Sequence, residues 1–514
     1  APSGRPLCYW SGARFGMPRR VGGGKRLGSG RRPPLGPALR WGPRPGLSGG
    51  TGGGQSSSTA SSFGRGGPFR MRAIVLACLL WTSGGALVAW GAEPAWALPA
   101  LAQQAALRDA TLAKRIEQVL PGLMRREGVD LWLLVAREYN DDPVLKTFLP
   151  ATWPTARRRT ILLIHDRGPE QGLETLALAR YGVGQFQAAW DPEAEPNQWR
   201  ALAAKLAELD PQVIGVNRSE TFALADGLTS TEYAQLVNAL APSQRPRLKS
   251  AERLAVGWLE TRLPEERVRL QEAVALAHEI LAEGLSSAVV TAGETRTDEL
   301  GWWFLEALRQ RGLTSWFHPS VSVQRRGDTT AEGEARSLYQ TVIEPGDVVH
   351  VDFGLRYLGL HTDTQQMAYV LRRGETAPPS WLEDAMAEGN RLQDLLTSAF
   401  KTGRTGNEIL RTALAAAEAE GIRGAIYTHP LGFHGHAAGP TIGLWDQQGG
   451  VPGAGDYPLY PQTAYAIELY ASYAPPSWGG PRLRIKLEED AFFDGEAVTY
   501  LAGRQTAFHL IESP

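Results

Sequence analysis

Cysteine is almost missing from this 514-residue chain. The only two, Cys8 and Cys78, both precede the part with globular patterning. No disulfide can therefore staple the main body, and no thiolate can act there as nucleophile or metal ligand. Any metal chemistry falls to carboxylates and imidazoles. Acids are missing from residues 1–70, a Gly-, Pro- and Ser-rich stretch that carries twelve of the 53 Lys and Arg. The net charge of −1 thus hides two unlike parts, because from Met71 onward 41 bases face all 54 Asp and Glu. That acidic surplus argues against a nucleic-acid partner.

Long apolar runs are equally scarce. One, Ile74 to Val88, follows the basic start Met71-Arg72 and precedes Ala95-Trp96-Ala97, the small-residue pattern of a cleavage site. This is the layout of a secretory signal peptide. The run is near the lower limit for spanning a bilayer and is broken by Thr82, Ser83 and two glycines, so an uncleaved anchor over residues 74–90 ranks second. Residues 1–70 are expected to be a disordered or non-native basic extension, since such a composition cannot bury a core. Residues 71–97 are expected to be the signal peptide of an exported, periplasmic or extracellular protein without stable membrane association.

Two folded regions are expected after it. Over 98–255, continuous apolar runs at Leu131–Val135 and Ile161–Ile164 read as buried strands. Val213–Val216 follows a helical pattern through Leu202, Leu206 and Leu209, which makes this a small α/β domain. Over 256–514, Pro264 suits the first turn of a helix that stops near Gly284. Thr297 can cap the next helix, with Leu300, Trp303, Phe304, Ala307 and Leu308 on one face. Ser380…Glu383 and Thr405…Glu408 read as capping boxes. Helix pairs followed by strands, twice over, give an α+β arrangement.

Chemistry concentrates in the second region. In Val348 to Asp363, alternation puts Val349, Val351 and Phe353 on one face and His350, Asp352 and Gly354 on the other. A hairpin turning near Tyr357, Leu358 and Gly359 pairs residues whose numbers sum to 715 or 717. Either register leaves Asp352 and Asp363 within about 5–8 Å on one face. Two carboxylates that close repel unless a cation lies between them. Downstream, His429-Pro-Leu-Gly-Phe-His434-Gly-His436-Ala-Ala-Gly439 gathers three imidazoles in a Gly-rich loop. Glu468 is the one acid in an otherwise apolar strand, and a buried lone glutamate calls for a partner or a metal. In Arg484-Ile-Lys-Leu-Glu488, the residues Arg484, Lys486 and Glu488 share a face.

The order Asp, eleven residues, Asp, then His, Glu and Glu resembles the pita-bread metallopeptidases, the family of aminopeptidase P, prolidase and methionine aminopeptidase. The likeness covers about Pro264 to the C-terminus, and the preceding α/β region fits the smaller creatinase-like N-terminal domain of the aminopeptidase P and prolidase branch. It implies a pita-bread catalytic domain holding two divalent ions, manganese foremost, with zinc or cobalt also accepted by such donors. Asp352 would chelate one ion, Asp363 and Glu488 would bridge both, and Glu468 with a loop histidine would complete the second. Gly435-His436-Ala-Ala-Gly439 fits the family's Gly-His-x-x-Gly, which makes His436 the expected ligand and His434 its alternative. The remaining imidazole, His434 or His429, would hydrogen-bond the substrate carbonyl, and Glu468 would handle a proton.

The function so implied is an aminopeptidase that cleaves the N-terminal bond of short peptides, Xaa-Pro foremost, by a metal-bridging hydroxide. The alternatives are a prolidase-type dipeptidase and a pita-bread protein that binds peptides without hydrolysis. A homo-oligomer is also implied. The chain departs from the family in three places. Thr364-Gln365-Gln366 stands where x-Thr-Arg is usual after the second Asp. No histidine lies about seventeen residues before Asp352, His318 being nearest, and Trp445-Asp446 replaces a later one.

Overall fold

The computed structural model describes residues 98–478 and 480–513. The expected basic extension, signal peptide and anchor lie outside the described residues. Among the described residues, no helix is long and apolar enough to cross a membrane.

A six-stranded sheet forms first, with strands in the order Gln187–Ala188, Leu173–Leu178, Arg159–Asp166, Leu131–Arg137, Ile214–Val216 and Leu248–Ser250. The continuous apolar runs mark its middle. Trp132, Leu134, Leu162 and Ile164 pack on one side with Phe148 and Trp258. Leu131, Leu133, Ile161 and Leu163 pack on the other with Leu202, Leu206 and Leu236. A strand covered on both faces has no polar side to show, which is why it lacks alternation.

A ten-stranded, mainly antiparallel sheet follows. Its main path runs Gly424–Ile426, Thr463–Tyr473, Leu483–Phe493, Thr364–Val370, Val348–Phe353, Ser320–Thr329 and Ala335–Leu338. His429–Leu431 adds to the Thr463–Tyr473 strand. Here alternation is clean. Val349, Val351 and Phe353 face the helices Pro264–Gly284 and Thr297–Gln310 through Ala277, Ile280, Phe304 and Leu308. Ile467, Leu469 and Ala491 face the helices Ser380–Ser398 and Gly406–Ala419 through Leu392, Leu396, Ile409 and Ala413. The sheet's opposite face is left for chemistry. This is the pita-bread fold, α+β, behind a smaller α/β sheet.

Two of the expected caps form otherwise. Thr405 and Glu408 make the reciprocal capping box, with Glu408 N donating to Thr405 Oγ1 at 3.2 Å and Thr405 N to the Glu408 carboxylate at 2.8 Å. Ser380 does not cap; Pro379 is the cap residue and Ser380 already lies inside the helix. Thr297 is likewise the first helical residue, behind Arg296, and its hydroxyl instead accepts from the Thr341 amide at 3.3 Å.

The histidine loop is anchored by buried charge. Arg115, on the helix Leu101–Gln118, pairs with Glu266 at 2.6 Å, each side chain only 1% exposed. The guanidiniums of Arg115 and Arg262 lie 4.9 and 4.4 Å from the Phe433 ring centre. Desolvated cations on an aromatic face bind it more strongly than exposed ones. Phe433, between His429 and His436, is thereby held from a helix more than 300 positions earlier.

Candidate metal centre

The hairpin sets the first two acids. Asp352 pairs with Gln365 and Phe353 with Thr364, the 717 register. Arg356–Tyr357 pairs with Leu360–His361, and the turn is Leu358-Gly359, with φ of 51° and 90°. Both turn residues need the left-handed region, which Gly359 adopts without steric cost. Asp363 thus lies diagonal to Asp352 on the face away from the helices.

Sheet register brings the other acids into line. Gln365 opposes Glu488, and Glu488 opposes Glu468. Asp352, Gln365, Glu488 and Glu468 therefore form one row across four strands. A second row runs beside it. His429 opposes Ala466, and Ala466 opposes Asp490, whose carboxylate accepts the Asp363 amide at 3.1 Å. Donor atoms of Asp352, Asp363 and Glu488 lie within 4.8 Å of one another. So do those of His429, Glu468 and Glu488, and those of Asp363, His429 and His436. These are groups that could hold a metal ion.

Without a cation such a row is electrostatically costly. Burial, and next the charge on Glu488, push the Asp352 carboxyl well above the usual range. Asp363 is raised by burial and then by Glu488, Asp352, Glu468 and Asp490. Glu468 rises for the same reasons, opposed by Gln365 and Lys486. Glu488 is pushed up to about 8, chiefly by burial. Lys486, half-buried nearby, is pushed down to about 8 by desolvation.

The donor set fits hard or borderline divalent ions. His429 Nδ1 lies 3.1 Å from the Pro430 carbonyl, an acceptor only, so it carries the proton and leaves Nε2 a bare lone pair. That Nε2 is buried without a hydrogen-bond partner, as is Glu488 Oε1, 3.4 Å away. It also lies 3.6 Å from Asp363 and 3.9 Å from Glu468. Two partnerless polar atoms facing each other among acids are placed where one cation would satisfy both.

Two of the loop histidines, His429 and His436, come to the acids. His436 reaches only Asp363, at 3.9 Å, and its side chain is 71% exposed. Its ring stands edge-on to His429 and to Trp316, 4.6 and 5.0 Å between centres. His429 is the imidazole with the most acids around it, because it sits on a strand paired with the one that carries Glu468. His434 is not brought to the acids. Its ring lies parallel to His361 at 6.2 Å, and burial holds both near 4. His318 turns to Trp302, 4.8 Å between rings.

Sequence reasoning missed three residues here. Gln365, read only as a departure from the family pattern, stands in the middle of the acidic row. Trp316 donates its indole N–H to the Thr362 carbonyl at 2.9 Å and walls the mouth beside His436. A side chain at Gly435 would run into that ring, so glycine there permits the loop's close approach. Tyr427 is half-buried beside Glu468 and Glu488, and desolvation raises its hydroxyl well above its ordinary value. Nothing local in the sequence marks Trp316 or Tyr427.

Fold and site together define a metal-dependent hydrolase of the pita-bread class. Residues 269–488 match metallopeptidase family M24, which makes that region a metallopeptidase domain. No curated protein matches the sequence. Solved structures that share the fold include the following three. The X-Pro aminopeptidase from Thermotoga maritima MSB8 is 16% identical with a TM-score of 0.53, covering 76% of this chain and 99% of that one. The Xaa-Pro dipeptidase from Bacillus anthracis is 19% identical with a TM-score of 0.51, covering 79% and 99%. Dipeptidase PepE from Mycobacterium ulcerans is 16% identical with a TM-score of 0.52, covering 79% and 99%.

Proposed function

We propose that the protein is a dinuclear-metal aminopeptidase that hydrolyses the N-terminal peptide bond of short peptides, Xaa-Pro bonds foremost. One observation carries the reading: the bare Nε2 of His429 and the orphaned Glu488 oxygen face each other inside a ring of four acids. Asp352, Asp363, Glu468, Glu488 and His429 would hold the ions. Bound there, the ions supply a water acidified towards neutral pH and a Lewis acid for the peptide carbonyl. Glu468, its carboxyl already displaced upward, takes and returns a proton. His436, at the exposed edge of the site, donates to the substrate carbonyl as charge builds on it. Trp316 offers a flat apolar wall for a proline ring.

A prolidase-type dipeptidase is the second reading, and one feature favours it. Arg356, cross-strand partner of His361, and Lys146 both bring positive charge to His434. A dipeptide would place its free carboxylate near such groups. The N-terminal pattern of Met71 to Ala97 supports export, and manganese, a homo-oligomer and a division near residue 255 belong to the same proposal.

The test is elemental analysis with hydrolysis of Xaa-Pro-Xaa tripeptides and Xaa-Pro dipeptides in added Mn²⁺. About two ions per chain, and activity lost to a chelator and restored by Mn²⁺, are expected. Cleavage of dipeptides alone would move the assignment to prolidase; a metal-free protein inert on both would end it.

The two imidazoles are separable by titration. His429→Ala is expected to lower Mn²⁺ affinity by more than about 100-fold, beyond the usual cost of an outer-shell change. His436→Ala should keep the metal and lose kcat. The reverse pattern would return His436 to the ligand role.

A further inference from the structure

We infer that Gln365 and His350 form a clamp that fixes how Glu468 and Glu488 present their oxygens; the inference rests on the metal-site reading above. The Gln365 amide nitrogen donates to Glu488 Oε2 at 2.8 Å and to Glu468 Oε1. Its amide oxygen lies 2.7 Å from His350 Nε2. The amide nitrogen has two hydrogens, one for each carboxylate. The flipped amide would press a carbonyl oxygen against two carboxylates, so the network itself assigns the orientation. The amide oxygen can only accept, which makes His350 Nε2 the donor and leaves Nδ1 bare; that Nδ1 is buried without a partner.

The consequence is directional. Gln365 holds one oxygen of each glutamate at the back of the site. The other oxygens, Glu468 Oε2 and Glu488 Oε1, are those that face His429, at 3.9 and 3.4 Å. Each glutamate is thereby pre-set with one oxygen bonded to the amide and one free towards the histidine. The threonine usual in the family at this point carries a single donor on a shorter stem and could not reach across both strands. His350 touches neither glutamate among these contacts and acts through Gln365, whose amide it keeps from turning. Both are positioning residues.

The experiment is Mn²⁺ titration by calorimetry on metal-stripped wild type, Gln365→Met, His350→Leu and the double variant, with circular dichroism to confirm folding. Methionine keeps the length and removes both donors. Gln365→Met is expected to weaken Mn²⁺ binding about 10–100-fold, and His350→Leu less. The double variant should be no worse than Gln365→Met alone, because His350 has no route except through the amide. Unchanged affinity in Gln365→Met, or full additivity in the double variant, overturns the clamp. Should Gln365→Met not fold, Gln365→Thr carries the same expectation of at least about tenfold loss, and unchanged affinity there overturns it too. Wild type that takes up no Mn²⁺ overturns the underlying site reading instead.

Discussion

Replacing Glu488 with glutamine is expected to lower divalent-metal affinity by more than about 100-fold and to bring peptide hydrolysis to background. Outer-shell changes typically cost about 10–100-fold, and Glu488 is more central than that. It opposes both Glu468 and Gln365 across the sheet. It also belongs to two of the three groups of donors close enough to share an ion. The change should act oppositely on the metal-free protein. Glu488 is the leading charge that raises Asp352, Asp363 and Glu468, so at pH 8 the metal-free variant should melt higher than metal-free wild type. Calorimetric titration and thermal melts measure the two effects. A variant that still binds Mn²⁺ as tightly as wild type would remove Glu488 from the site.

The second large effect is on pH dependence. Metal-free protein should lose several degrees of melting temperature between about pH 6.5 and about pH 8. The Glu488 carboxyl is held up to about 8, against about 4.3 in an unfolded chain. Between those values the native state keeps the proton and the unfolded state has lost it, so stability falls as pH rises. Asp352, Asp363, Glu468 and Asp490 are displaced the same way, each chiefly by burial. The imidazoles work the other way at lower pH. His429, His434 and His361 are held down to about 4, burial being the first cause. At these three sites the unfolded chain binds the extra proton between about 4 and 6.5, which offsets the acids through that window. Above it the imidazoles no longer contribute and the acids alone set the slope. Saturating Mn²⁺ should abolish the decline, because the ions take the place of the protons. Melts in chelator and in Mn²⁺ across this range decide it. A flat metal-free curve would show that the acids ionise freely and do not crowd one another.

Much of the fold is legible in residue order because its signals are local. Unbroken apolar runs at Leu131 and Ile161 announce strands covered on both sides, and strict alternation around Asp352 announces one covered on a single side. The hairpin around Leu358-Gly359 is legible too, but 715 and 717 both stay open in the sequence, and the structure takes 717. Cap positions are less legible. Ser380 and Thr297 each sit one residue inside the helix, because the chain enters extended one residue earlier, at Pro379 and Arg296.

By itself the sequence determined the chemistry available to this protein. With no cysteine after Cys78, hard carboxylates and imidazoles were the only ligands on offer, and their types and order along the chain named the family they resemble. Only the tertiary structure decided which of them meet. The Gly-His-x-x-Gly pattern points to His436, yet strand pairing with Thr463–Tyr473 turns His429 inward, while loop geometry leaves His436 at the mouth beside Asp363 and His434 against His361. Gln365 became part of the site for the same reason. A residue's neighbours across a sheet are set by the register of chains more than a hundred positions apart, and no local pattern encodes that register.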